Sequence, residues 1–153
     1  MNSARIVRGL LDTTFISVRN LHSATVADGD CVRWHITGDA VPTGYTRIPG
    51  VDVVATAAVG VTSAAGIVKT PATTVTVAQG DYFMLQVHGY HSNVRTEEAA
   101  LAAGVVVTGS STSLAVETAV VAAAANISDK RLGVCLTTGA SNRAGIQIAA
   151  LGH

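Results

Sequence analysis

Short runs of alternating or β-branched residues fill most of the chain, and clusters of Gly, Asp, Asn, Ser and Pro cut them apart at close intervals. Residues 31–36 show the pattern. Val32, Trp34 and Ile36 share one parity, while Arg33 and His35 share the other. Period two is the repeat of a strand, whose side chains point alternately to opposite faces. By the same criterion 13–18, 51–58, 66–69, 73–77, 82–88, 105–108, 113–116, 131–136 and 144–150 read as strands. About ten short strands with turn signals between them predict an all-β chain, folded as a small β-barrel or β-sandwich.

An internal echo supports the strand boundaries. Val26-Ala27-Asp28-Gly29-Asp30-Cys31-Val32 resembles Val77-Ala78-Gln79-Gly80-Asp81-Tyr82-Phe83, with a looser third version at Ala102-Ala103-Gly104-Val105-Val106. Each sets a Gly in front of a strand, where a tight turn needs φ > 0 and Gly adopts it without a Cβ penalty. These are repeated turn signatures rather than phosphate cradles. Helix is scarce. Residues 96–104 fit either two helical turns, with Thr96 as N-cap, Glu97 and Glu98 at the positive end and Gly104 as the stop, or a loop entering the next strand.

A length of 153 residues suits one domain, read here as a single β domain over 21–153 preceded by residues 1–20 as an N-terminal arm or first strand. The composition bears on how such a domain is stabilised. Hydrophobic residues make up 48% of the chain but aromatics only 4%, so the core is built largely from Ala, Val, Ile and Leu. Small side chains bury little area each, at roughly 25 cal/mol per Å² of apolar surface. Charged residues are only 13%, about half the usual share. Such a surface is short of charge, and partners that cover it relieve both problems. Self-association is therefore expected, as a homotrimer or alternatively a homodimer.

Other classes are disfavoured. The net charge is zero, which leaves no global positive field for nucleic acid. No apolar run approaches the ~20 residues that span a bilayer, since 119–125 is closed by Asn126 and Asp129. Gly9 and Asp12 interrupt the apolar run that a signal peptide requires, so the chain is expected to stay in the compartment where it is made. Cys31 and Cys135 lie in strand-like apolar runs and read as two buried thiols rather than a disulfide.

Catalytic and metal-binding signatures are weak. His88-Gly89-Tyr90-His91 is the one histidine cluster, but a structural zinc site takes four Cys or His ligands at recognisable spacing. It reads as a hydrogen-bonding loop at a strand end. No Gly-x-Ser-x-Gly elbow, Walker loop or dinucleotide fingerprint occurs. Glu97, Glu98 and Glu117 are candidates for a glycosidase carboxylate pair, but the adjacent Glu97 and Glu98 are better explained as helix-end charges. The expectation is a non-enzyme without catalytic residues, metal or cofactor.

A strand ending in Gln86-Val87-His88-Gly89-Tyr90-His91, a polar loop and an Ala-Gly-led strand at Gly104 resemble the decoration or cement proteins of tailed bacteriophages. Leu132-Gly133-Val134-Cys135-Leu136 and the closing Ile146-Gln147-Ile148 extend the resemblance over roughly residues 50–153, leaving 1–20 outside it. The resemblance implies a small non-catalytic protein, often trimeric, on the outer surface of an assembled capsid. Its partner would be the major capsid protein, with neighbouring capsomers cemented together. Such a protein is made in the host cytoplasm and ends up in the virion. The residues themselves suit equally a phage fibre, a receptor-binding module or a carbohydrate-binding β module. A lectin should expose aromatic platforms, whereas Trp34, Tyr45, Tyr82 and Tyr90 are few and fall mostly within strand patterns.

The N-terminal residues are candidate contacts. Arg5, Ile6, Val7, Arg8, Leu10 and Leu11 surround Gly9 with neither strand alternation nor helix caps. Ordering such a segment costs ~1–2 kcal/mol per residue in backbone entropy. Its apolar residues point to a capsid or neighbouring-subunit surface, with an ordinary first strand as the alternative.

Overall fold

Eleven strands and no helix form among the residues that the computed structural model describes, which are 12–55, 64–110, 113–119 and 131–149. In chain order they are β1 Thr14–Asn20, β2 Val26–Ala27, β3 Cys31–Trp34, β4 Asp52–Ala55, β5 Ala64–Lys69 and β6 Thr76–Val77. β7 Tyr82–Arg95, β8 Val106–Gly109, β9 Val116–Thr118, β10 Gly133–Ala140 and β11 Arg143–Ala149 complete the set. The all-β expectation holds.

Strands β1, β4, β3, β5 and β7 are hydrogen-bonded in that order, and β7 pairs back onto β1. The ring is therefore a closed five-stranded barrel, parallel only at β1–β4. Closure removes the free edges that an open sheet exposes. Val18, Val32, Val53, Val68 and Leu85 point inward and form one core cluster with Phe83 and Val87. Each buried Val or Leu contributes about 1.5–3 kcal/mol, so this interior compensates for its small side chains by near-complete burial.

A second layer grows from the same barrel strand. The β1 ladder on β7 ends at His88, and β11 pairs with β7 from His88 to Arg95. β10, β8 and β9 follow outward in order. The inner face of this layer carries Val94, Ile146, Ile148, Cys135 and Val107, which pack with Cys31 of β3 and Ile67 of β5 on the outside of the barrel. Cys31 and Cys135 thus share one core cluster as free, buried thiols.

The two echoed segments meet each other. Val26 pairs with Val77 and Ala27 with Thr76, so the repeats form the small β2–β6 sheet and their turns launch β3 and β7. Gly29 and Gly80 both take positive φ, +86° and +90°, the conformation that the repeated turn signature requires.

One sequence expectation needs correction, and one open alternative is decided. His88-Gly89-Tyr90-His91 is not a loop: it lies inside β7, whose 14 residues run to Arg95 because β11 supplies a partner that local sequence cannot reveal. Residues 96–104 take the loop alternative. Thr96 Oγ1 donates to the Glu98 carbonyl at 2.6 Å instead of capping a helix. The Gly104 N–H donates to the Cys135 carbonyl and the Leu101 carbonyl accepts from Gly139, so β10 takes the groups a helix would have used. Leu101 is buried in the second core cluster.

A Cβ added at Gly29 would overlap the Asn93 carbonyl oxygen, a backbone atom, whereas one at Gly80 would meet the side chain of Tyr45. Left-handed strain costs about 1–2 kcal/mol and overpacking about 1–3 more. Gly29→Ala is expected to lose about 2–5 kcal/mol in urea denaturation, and Gly80→Ala clearly less because Tyr45 can swing away. Equal losses would show that the seam between barrel and second layer yields as easily as a side chain.

Candidate functional site

Arg5, Ile6, Val7, Arg8, Leu10 and Leu11 lie outside the described residues. Among the described residues the polar side chains divide into clusters that hold loops and a groove that leaves apolar groups exposed.

At the seam between barrel and second layer, Asp28 is buried and accepts from Lys69 Nζ at 3.0 Å and from the Thr70 N–H at 3.1 Å. Arg143 Nη1 donates to the carbonyls of Asp28 (3.1 Å) and Asn93 (3.2 Å), tying the β2–β3 turn to β7 and β11. His91 Nδ1 accepts from the Asn93 N–H, which sets the proton on Nε2, 3.8 Å from Asp28 Oδ1. Burial pushes the Asp28 carboxyl up, but Lys69, the Thr70 N–H and His91 outweigh it and hold the group below its ordinary value. Burial lowers His91, with Asp28 only partly offsetting it.

His88 and His91 do not act together. They stand three residues apart on one strand, so His91 is buried on the inner face while His88 faces Asp12, whose carbonyl lies 3.1 Å from its Nδ1. No group of three or more His, Cys, Asp or Glu among the described residues is placed to hold a metal ion.

Two further ion pairs brace the 36–51 loop. Arg19 holds Asp52 through Nε (2.7 Å) and Nη2 (2.8 Å) and lies over the Tyr45 ring. Arg33 holds Asp39 through Nη1 (2.7 Å) and Nη2 (2.8 Å) beside a cleft of about 370 Å³ lined by Leu21, His22 and Pro42. Hydrogen bonding to Arg33 pulls the Asp39 carboxyl down to about 2, so it is ionised at neutral pH and ill-suited to general acid–base work there. Glu97 accepts from Ser110 Oγ, and Glu98 from the Thr118 N–H, which spends both carboxylates on the 96–104 loop.

The groove lies on the barrel. Tyr82 and Met84 share one parity of β7 and are 59% and 46% exposed, while Phe83 and Leu85 on the other parity fill the interior. Lys69 pairs with Met84 across β5–β7, and its stem lies along the groove while its ammonium is held by Asp28. Pro71 and Val75 form the opposite wall, in a turn closed by the Val75 N–H on the Ala72 carbonyl. The groove holds about 490 Å³ and adjoins a smaller one against Phe15 of β1. Asp81 stands at its margin. It is an apolar trough with a charged rim, the anatomy of a protein-binding patch. Sequence reading missed Phe15, Val75, Tyr82 and Met84 as surface groups. The signal was present: residues 82–87 are apolar on both parities up to Gln86, which half-buried alternation does not require.

The linkage has a definite sign. Folding lowers His91 and His22, both chiefly by burial, from an ordinary value of 6.5. As pH falls below 6.5 the unfolded chain binds protons there first, and stability drops. Asp28, Asp39 and Asp52 are held below 3.8, so their contribution is present above that value and is lost as pH falls through the folded values. Asp30, raised by burial, works in the opposite sense. Urea midpoints are expected to decline from pH 7.5 to 5.5 and again near pH 3. His91→Gln should flatten the first decline, and an unchanged profile would remove His91 from the account. EDTA is expected to leave the melting temperature unchanged. A drop of several degrees that zinc restores would show that a metal site exists after all.

No family model matches the chain, and no curated protein matches it. Among solved structures, the chain is similar to the N base of the head fibre protein gp8.5 of bacteriophage phi29, at 10% identity over 93% of this chain and 100% of that one, with a TM-score of 0.46. A likeness of that size establishes neither topology nor function.

Proposed function

We propose that this chain is a non-catalytic structural protein of a bacteriophage virion, which binds the outer surface of the assembled head as a homo-oligomer and cements neighbouring capsomers. The observation that carries this reading is the Phe15–Val75–Tyr82–Met84 groove on a closed barrel. It offers a rigid, mostly apolar docking trough with Lys69, whose ammonium is held by Asp28, and Asp81 at its border. The pattern of strands and small residues over roughly 50–153 supports the same class, and the low charge suits a surface covered by partners.

In this reading the groove meets the major capsid protein, and Arg5, Ile6, Val7, Arg8, Leu10 and Leu11 add contacts to the shell or a neighbouring subunit. The order of assembly is a homotrimer, with a homodimer as the alternative. A fibre or carbohydrate-binding module is the second reading. The exposed ring of Tyr82 favours it, since aromatic faces are what a sugar platform needs.

Purified chain is expected to co-sediment saturably with heads assembled without it and to raise the temperature at which those heads rupture. Met84→Lys and deletion of residues 1–11 are each expected to weaken binding at least about 10-fold, a loss of about 1.4 kcal/mol. Both variants should keep the native circular dichroism, because Met84 is exposed and the deletion spares Asp12. No binding to heads, together with saturable binding to host-surface glycans that Tyr82→Ala abolishes, would replace the cement reading with the second one.

A further inference from the structure

The outward face of the second layer is a separate apolar surface of different character. Tyr90 of β7, Gln147 of β11, Val134 of β10 and Val106 of β8 stand in one cross-strand row, each paired with the next. Their neighbours His91, Ile146, Cys135 and Val107 occupy the opposite, inner face. Tyr90 lies across Gly145, where an added Cβ would strike its hydroxyl and Thr137 Oγ1. Leu136, 52% exposed, and Ala149 widen the apolar area.

What sets this face apart is its charge. β10 contains no Asp, Glu, Lys or Arg, and neither do residues 99–110. Arg143 and its cross-strand partner Arg95 near the β10–β11 turn, Glu117 on β9, and Arg131 and His88 at the end where Ala149 lies stand at the margins. The groove on the barrel, in contrast, is bordered by Lys69 and Asp81.

We infer that the Tyr90–Val134–Leu136 face is the self-association surface of this protein, packed against the same face of further copies of the chain. A partner of another kind is selected and steered by charge, as the rim of the barrel groove allows. A face without charge brings no like charges together when it meets itself and buries none unpaired. Permanent homo-oligomer interfaces are the apolar class, whereas transient ones are no more apolar than ordinary surface. β7 from His88, β10 and β11 are each about 24–27 Å long and β8 about 14 Å, so at about 4.8 Å spacing their flat projection is roughly 440 Å² per copy, or about 880 Å² per pair before side-chain relief is counted, close to the ~1,000 Å² of a specific contact. Two such faces close as a two-fold dimer, and three close as a prism around a three-fold axis. The inference supplies the subunit contact for the oligomer proposed above, but it stands on its own observations.

Sedimentation velocity at micromolar concentration tests it. The native chain is expected to run as an oligomer of 15.5 kDa subunits. Leu136→Lys in the middle of β10 and Ala149→Lys at the end of β11 should each weaken association at least about 100-fold and yield monomer with native circular dichroism. Met84→Lys in the barrel groove should leave the oligomer intact. Ala149→Lys decides the matter if Leu136→Lys fails to fold. A monomeric native chain overturns the inference, as does an oligomer that survives both substitutions. A native monomer that Leu136→Lys destabilises by several degrees would show that the chain's own residues cover the face. An oligomer that these substitutions break but that does not bind heads would retire the cement reading and leave this face standing.

Discussion

Strand β7 belongs to two layers at once, and its pairing joins them. Its first half closes the barrel between β1 and β5, and its second half carries β11 and, through it, the outer strands. A strand used this way must satisfy different neighbours along its length. Phe83, Leu85 and Val87 fill the barrel, whereas Val94 belongs to the second core cluster. Gln86, buried between the halves, donates from Nε2 to the carbonyls of His88 (3.3 Å) and Tyr90 (3.1 Å) where the β1 ladder ends. A side-chain amide thereby satisfies backbone acceptors at the handover, where they would otherwise be costly to bury.

Among the described residues, the ion pairs lie where loops and layers need holding. Asp28 and Arg143 join the β2–β3 turn to β7 and β11, Arg19 and Asp52 fasten the 36–51 loop to β1 and β4, and Arg33 and Asp39 close its base. Bidentate guanidinium–carboxylate geometry at the last two fixes direction as well as distance. Buried pairs of this kind are a weak source of net stability, but losing one partner leaves a stranded charge. Their placement therefore defines the loop and layer geometry more than it strengthens the fold, and the stability rests on the two apolar clusters.

Spending charge on the interior leaves two contrasting outer surfaces. The barrel groove retains a charged border, and the outward face of β10 and β11 has charge only at its margins. The contrast arises from strand parity. On β10, Val134 and Leu136 face outward because Cys135 must face the core, and on β7, Tyr82 and Met84 face outward because Phe83 and Leu85 must fill the barrel. Apolar exposure here follows from strands that are apolar on both faces.

Local pattern alone determined the strand class, the turns and the state of the thiols. Alternation marked 31–36, an apolar and aromatic run marked 82–88, the repeated Gly-Asp signature foretold positive φ at Gly29 and Gly80, and apolar flanks identified Cys31 and Cys135 as buried. These features depend on neighbours within a few residues, which is the range over which sequence pattern acts. Tertiary pairing decided the rest. The continuation of β7 through His91 depends on β11, more than 50 residues later, and the loop at 96–104 depends on β10 capturing the carbonyl of Leu101 and the N–H of Gly104. The pairing of the two echoed turns, the barrel closure between β1 and β7 and the gathering of Phe15, Val75, Tyr82 and Met84 are likewise contacts between distant segments. Hydrogen-bond partners in a sheet are chosen by register and topology across the whole chain, so no local window contains them.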